Sequence, residues 1–374
     1  MRKKLLFVVN VPWFFLSHRL PIAIAAKESG YEVHLATSAG RELEKIREKG
    51  IFVHEIHFTR SSSMPLAEIK ILVSLYKLYK NLQPDIVHHV TIKPVLYGSF
   101  IAGITKVPHI INAISGLGFV FIAEGFIAKI RCLLVKAAYR HVFRKNNIIA
   151  IFQNPDDKEQ FVNEGMLIES QTVLIRGSGV DVSKIRVVDE PSGIPTIVLV
   201  ARMLWDKGIG EFVDAANLLK SRGVNAHFKL VGGIDKGNPK AIDKEQIDLW
   251  CKEGFVEWRG HSDSIEEVIS GANIVCLPSY REGLPKVLIE AAACGRAVVT
   301  TDVPGCRYAI EPNVTGLLVP AYDVKSLAEA VASLISDDTL RRQMGMAGRL
   351  LAEEEFDIHK IIKLHLELYG ESFI

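Results

Sequence analysis

Short apolar runs alternate with longer amphipathic stretches along the whole chain, and this alternation limits the fold more than any single residue does. Leu5–Val9, Glu32–Ala36, Phe52–Ile56, Ile86–His89, His109–Asn112 and Ile148–Phe152 read as strands in the first half. Thr196–Val200, His227–Val231, Phe255–Arg259, Ile274–Leu277 and Ala297–Thr300 read as strands in the second. Helices are expected over Leu20–Ser29, Leu66–Leu82, Ile127–Phe143, Ile209–Ser221, Leu284–Ala293 and Leu327–Leu334. Strands separated by helices argue for parallel sheets flanked by helices, an α/β architecture. A length of 374 residues suits two such domains of roughly 150–200 residues each.

The expected organisation is therefore two Rossmann-like domains. The first covers 1–178 and the second 194–354, joined by a linker over 179–193 that carries Pro191 and Gly193. A last helix over Ile358–Tyr369, within 355–374, is expected to pack back on the first domain. Two such domains would leave a cleft at the carboxyl ends of both sheets, where ligands bind in open α/β folds.

Composition excludes several classes. Hydrophobic residues at 48% and charged residues at 24% describe a soluble globular chain with a sizeable core. The five cysteines are scattered and never spaced C-x-x-C, so no zinc or disulfide framework is expected and a reduced, cytoplasmic setting follows. Arg2-Lys3-Lys4 before Leu5–Val9 imitates a signal peptide, but Asn10, Pro12 and His18-Arg19 interrupt the apolar run. No apolar stretch is long enough to span a membrane. The first strand ends Val9-Asn10-Val11-Pro12 without glycine, and the second ends Ala36-Thr37-Ser38 without an acid. Both departures exclude a dinucleotide-dependent dehydrogenase, and a Walker-type phosphate loop is also missing.

The richest stretch is Ser279-Tyr280-Arg281-Glu282-Gly283-Leu284-Pro285-Lys286-Val287-Leu288-Ile289-Glu290, following the apolar run Ile274–Leu277. It reads as a buried strand, a tight loop and a helix that opens with Pro285. Such a helix mouth directs backbone N–H groups and a positive dipole end at a ligand, which suits an anion. A carboxylate accepts two hydrogen bonds at once, which suits the vicinal diol of a ribose or a sugar ring. Glu290 stands among Leu288, Ile289 and Ala291–Ala293, so its charge requires a partner. At the start of the second half, Arg202 and Lys207 lie in a strand–helix loop, as solvated cations or as a pyrophosphate clamp. No D-x-D pair is present to hold a metal, so a diphosphate leaving group would depend on protein cations.

The Ala201-Arg202 to Lys207-Gly208 loop, Val231-Gly232-Gly233, Gly260, the paired Glu282 and Glu290 and Gly316–Val319 together resemble the retaining glycosyltransferases of family 4. The likeness covers nearly all of 196–335. It implies a GT-B fold, a UDP-sugar donor in the second domain, and metal-independent transfer with retention at the anomeric carbon. By the same resemblance Arg202 and Lys207 hold the diphosphate, and Glu282 with the backbone of Gly283 and Leu284 touches the sugar. Glu290 takes the ribose, and Pro285 and Gly232 fall in the same donor site.

In the first half, Phe14–Pro21 and Val87–Pro94 resemble a branch of the family acting on lipid-linked amino sugars. His18, Arg19, His89 and Lys93 are candidate cleft residues on the acceptor side. Many relatives carry a histidine after the fifth strand; this chain reads Asn112 to Gly118 without one. There Gly116 and Gly118 either bring backbone near the diphosphate or form a plain turn.

Charge is uneven: residues 60–145 hold 12 Lys+Arg against 3 Asp+Glu, although the whole chain is +2. This segment reads either as solvated faces of packed amphipathic helices or as a surface for anionic lipid. Nucleic acid is not expected, since no binding motif accompanies the charge. The function these readings imply is transfer of a sugar, of N-acetylhexosamine type, from a UDP donor to a polyprenyl-diphosphate-linked saccharide. Such an enzyme would work peripherally on the cytoplasmic face of the membrane and would need no cofactor or metal. A UDP-sugar epimerase or hydrolase on the same fold, or a non-catalytic partner subunit, are the alternatives.

Overall fold

The computed structural model describes residues 2–58, 65–117, 125–145 and 147–370. The chain forms two compact units, one running to Ser178 and resuming at His359, the other spanning Gly179–Ile358. Among the described residues of the first unit, seven parallel strands are β1 (Lys4–Val9), β2 (Glu32–Thr37), β3 (Phe52–Glu55), β4 (Ile86–Val90), β5 (His109–Ile114), β6 (Ile148–Phe152) and β7 (Thr172–Leu174). Their order is β3-β2-β1-β4-β5-β6-β7. The second unit holds β8 (Thr196–Val200), β9 (His227–Val231), β10 (Glu257–Trp258), β11 (Ile274–Leu277), β12 (Ala297–Thr301) and β13 (Gly316–Val319), ordered β10-β9-β8-β11-β12-β13 and also parallel.

Both sheets are buried on two faces, which explains the near-continuous apolar strands. Along β1, Leu6 and Val8 join one core cluster while Leu5, Phe7 and Val9 join the cluster on the opposite face. β8 divides similarly, with Ile197 and Leu199 on one side and Val198 on the other. Each fully buried aliphatic side chain contributes about 1.5–3 kcal/mol relative to exposure. In each sheet the chain order reverses beside the first strand of the unit, between β1 and β4 and between β8 and β11. These switch points open a crevice at the strands' carboxyl ends, where α/β proteins seat ligands.

Three expectations need correction. The segment 179–193 is no loose linker, because it is fastened into the second unit. The Arg349 guanidinium donates to Val182 O and Ile185 O at 2.9 Å, and Arg296 Nη1 donates to Val188 O at 3.0 Å. Arg341 pairs with Glu190 at 2.8 Å with both side chains about 5% exposed or less. The strand expected over Phe255–Arg259 shrinks to Glu257–Trp258, because the Phe255 N–H closes the preceding helix on Trp250 O at 3.2 Å. Pro285 caps its helix, which runs Lys286–Ala293, with ψ at 117° holding it outside the first turn.

The closing helix Ile358–Gly370 supplies a wall of the first unit's core. Ile361, Leu368 and Tyr369 join Phe7, Phe15 and Ile86 there, and the boundary falls at His359 instead of residue 355. The Tyr369 hydroxyl meets His88 Nδ1 at 2.7 Å, and the Tyr31 hydroxyl donates to Tyr369 O at 3.0 Å. His365 and His88 stack at 5.6 Å between centroids.

Burial lowers the pKa of three interior histidines. His88 falls well below the ordinary value, His89 falls to about 4 and His365 to about 3. The unfolded chain takes up these protons near pH 6.5, whereas the folded chain refuses them until lower pH. Stability should therefore hold at and above pH 7 and fall as pH drops below 6.5, by on the order of 1 kcal/mol per histidine per pH unit. Denaturant midpoints measured from about pH 7 to 5, above most carboxylate titration, should decline. His365→Gln should flatten that decline, and an unchanged slope would show that His365 is not held neutral.

Candidate functional site

The second unit's switch point carries a dense cluster of polar side chains. β8 ends at Val200 and leads through Arg202 into a short 3₁₀ turn, Trp205–Lys207, and then into the helix Ile209–Ser221. Gly208 makes that passage at φ +69°, and a Cβ there would meet Pro278 O at 2.0 Å. The Lys207 loop therefore lies directly against the loop leaving β11. Across that contact Lys207 Nζ pairs with Glu282 Oε1, both side chains being less than a fifth exposed. Ser279 Oγ donates to the same Glu282 oxygen at 2.8 Å, and Glu282 N–H donates to Pro304 O at 3.1 Å. Tyr280 N–H donates to Asp206 O at 3.0 Å, and its hydroxyl donates to Glu211 Oε1 at 2.6 Å.

The other donor-side candidates surround this pair. Arg202 Nη1 donates to Asp235 Oδ2 at 2.5 Å. Gly232 has φ +146°, and a Cβ would strike Ala201 O at 1.7 Å, so the loop after β9 lies tight against the Arg202 loop. Gly283, Leu284 and Pro285 are buried, and Leu284 belongs to the core cluster beneath the loop. Any ligand contact from Leu284 would thus come from its backbone. Glu290 lies in the second turn of the helix Lys286–Ala293 and pairs with Lys286 at 3.2 Å. Burial raises its pKa above the ordinary carboxylate value, with Lys286 opposing that rise.

The first unit treats its candidates differently. His18 is half-buried, stacked on Phe14 at 4.1 Å and bonded to Ser17 Oγ. Arg19, 2% exposed, donates to His18 O at 2.9 Å, and burial lowers its pKa to about 10. His89 is wholly interior, which argues against direct contact with an acceptor. Its ring meets Asn112 Oδ1, brought beside it by the register of β4 and β5, and the Tyr79 hydroxyl from the helix Pro65–Leu82, each at 2.8 Å. Lys93, after β4, pairs with Glu68 at 2.6 Å. Gly116 has φ +93° after β5, whereas Gly118 lies outside the described residues.

Sequence reading gave no role to Ser279 and missed Asp235, the residues that hold Glu282 and Arg202 in place. Ser279 opens the motif three residues before Glu282 and could have been noticed as a local hydroxyl partner. Asp235 lies 33 residues from Arg202, and no spacing rule connects them. Among the described residues no cluster of His, Cys, Asp or Glu could hold a metal ion, and no helix is long and apolar enough to cross a membrane.

Comparison with known proteins identifies the family and the fold. Residues 194–337 match the model described as glycosyl transferases group 1, and residues 4–154 match that described as glycosyl transferase 4-like. The chain is 31% identical to N,N'-diacetylbacillosaminyl-diphospho-undecaprenol alpha-1,3-N-acetylgalactosaminyltransferase of Campylobacter jejuni, covering 95% of this chain and 97% of that protein. It is 28% identical to the capsular polysaccharide biosynthesis glycosyltransferase CapM of Staphylococcus aureus, covering 93% and 92%. Among solved structures it superposes on sucrose-phosphate synthase from Thermosynechococcus elongatus with a TM-score of 0.81, at 20% identity over 98% of each chain. Anabaena HepE in complex with UDP and glucose gives 0.80, at 17% identity over 99% and 100%. Fold and full-length similarity place the chain in glycosyltransferase family 4, on the GT-B fold.

Proposed function

We propose that this glycosyltransferase moves a sugar of N-acetylhexosamine type from a UDP donor to a polyprenyl-diphosphate-linked saccharide, with retention and without a metal. The observation that carries the donor half is the convergence of Lys207 and Glu282 at the β8/β11 switch point. As the glycosidic bond to the diphosphate breaks, negative charge grows on the departing phosphate. Lys207 and Arg202 would neutralise it, so departure would not depend on a metal ion. Glu282, fixed by Lys207 and Ser279, would accept from sugar hydroxyls, and Glu290 would accept from the ribose diol. Transfer with retention then requires the acceptor to approach on the face the diphosphate leaves, a matter of positioning.

Similarity to the Campylobacter enzyme over nearly the whole chain supports an acceptor of the same chemical kind. The first unit also offers a surface suited to a lipid-borne acceptor. The helix Pro65–Leu82 buries Ile71, Leu75 and Tyr79 yet exposes Leu66, Ile69, Val73 and Tyr76 along another stripe. The helix Phe126–Val142 likewise exposes Ile130, Leu133 and Leu134 beside Lys129 and Arg131. Apolar side chains flanked by cations are what an anionic membrane surface takes up, and a chain docked there would act on the cytoplasmic face. The acceptor's own diphosphate would then lie at the membrane level.

Lys207→Ala and Glu282→Ala should each lower transfer from a UDP-sugar by about 100-fold or more while circular dichroism stays native. Full activity in either would remove the site assignment. Calorimetry in EDTA should show UDP binding to the intact protein, weakened about tenfold in Glu290→Ala; equal affinity would exclude the ribose role. Leu133→Asp/Leu134→Asp should release the protein from phosphatidylglycerol vesicles in flotation, and full retention would rule out docking through this helix.

A further inference from the structure

Arg202 is oriented by a residue outside every motif read from the sequence. Its Nη1 donates to Asp235 Oδ2, with the acid side chain 10% exposed and the arginine 44% exposed. Asp235 stands in the loop after β9, and that loop is tied along its length to the loop carrying Arg202. Met203 N–H donates to Gly233 O, Trp205 N–H to Lys240 O, and Ile242 N–H to Met203 O, each at 3.0 Å. Within its own loop Asp235 accepts from the Asn238 backbone N–H at 3.0 Å through its carbonyl, and from the Asn238 amide at 3.4 Å through Oδ2. The main chain of Asp235 is thus held by its loop and its carboxylate by the Asn238 amide, while the Arg202 side chain is 44% exposed.

We propose that Asp235 is a positioning residue for the diphosphate clamp, holding the Arg202 guanidinium at Nη1 in the orientation from which it meets the leaving phosphate. This rests on the donor reading given above. Arginine carries five donors in a rigid planar fork, so a bond at Nη1 sets the plane and direction of the whole group, and its 44% exposure lets a phosphate reach it. If Arg202 instead swung away to the phosphate, a largely buried carboxylate would be left beside an incoming anion, which is costly. The pair therefore persists in the donor complex.

Two effects of Asp235 oppose each other and can be separated. Its charge repels the diphosphate, and salt screens that repulsion. Its hold on Arg202 favours the diphosphate, and salt does not remove a geometric constraint.

The test is calorimetric binding of UDP and of uridine to the intact protein and its Asp235→Asn, Asp235→Glu and Arg202→Ala variants, at about 50 mM and about 500 mM salt. Asp235→Asn should lose about tenfold in UDP affinity at high salt and leave uridine affinity unchanged. Asp235→Glu should recover most of that loss. UDP bound by Asp235→Asn as tightly as by the parent protein, or more tightly, at high salt would overturn the proposal. So would an equal loss for uridine, which would mark general damage to the pocket. An Arg202→Ala variant with an unaltered preference for UDP over uridine would instead remove the diphosphate clamp itself, so the two failures are distinguishable.

Discussion

The ion pair between Lys207 and Glu282 is the constraint to which the second unit is fitted. Both side chains are largely withdrawn from water, and desolvating two such charges costs several kcal/mol per ion, which their attraction rarely exceeds. A pair of this kind contributes little to holding a fold together. What it does is fix a cation and an anion at one point, and much of the surrounding structure serves that end. Gly208 lets the lysine loop lie on Pro278, Ser279 and the Pro304 carbonyl hold the glutamate, and Thr301 Oγ1 donates to Ser279 O from the neighbouring strand. On the donor reading proposed above, an incoming diphosphate and sugar would meet a cation and a carboxylate already fixed at that point.

Much of this was legible in the sequence because burial on two faces writes itself locally. β8, β9 and β11 appear at the same limits in chain and structure, since a run such as Thr196–Val200 has no polar face to misplace. Glu282 and Lys207 were readable because each stands just past such a strand. The helix Pro12–His18 was not read, because Pro12 and the aromatic run Trp13-Phe14-Phe15 give no amphipathic period over seven residues. β13 was seen as a motif, Gly316–Val319, but not as a strand, because four residues are too few to show alternation.

What stayed hidden is everything that depends on distant pairing. His89 looks from its neighbours like a polar residue at the end of a strand; only the register of β4 against β5 reveals Asn112 beside it. His88 meets a tyrosine 281 positions later, and Arg202 meets an acid on another loop. The supposed linker 179–193 carries Pro191 and Gly193 and so reads as open coil. Its anchors, Arg296, Arg341 and Arg349, lie more than a hundred residues downstream, where nothing local announces them. Single residues at strand ends were visible, while their supports were not.

The return of the closing helix to the first unit also has a bearing on how the chain is made. The first sheet is complete once Leu174 has been synthesised, but Ile361, Leu368 and Tyr369 are missing from one face until the last turns of the chain emerge. At about 10 residues per second that interval is roughly 20 s, during which Phe7, Phe15 and His88 lack their cover on the ribosome. Most of that interval is taken up by synthesis of the second unit, Gly179–Ile358, whose last residue precedes Tyr369 by only about 1 s. The unit that is begun first therefore cannot be sealed until the whole of the other has been made.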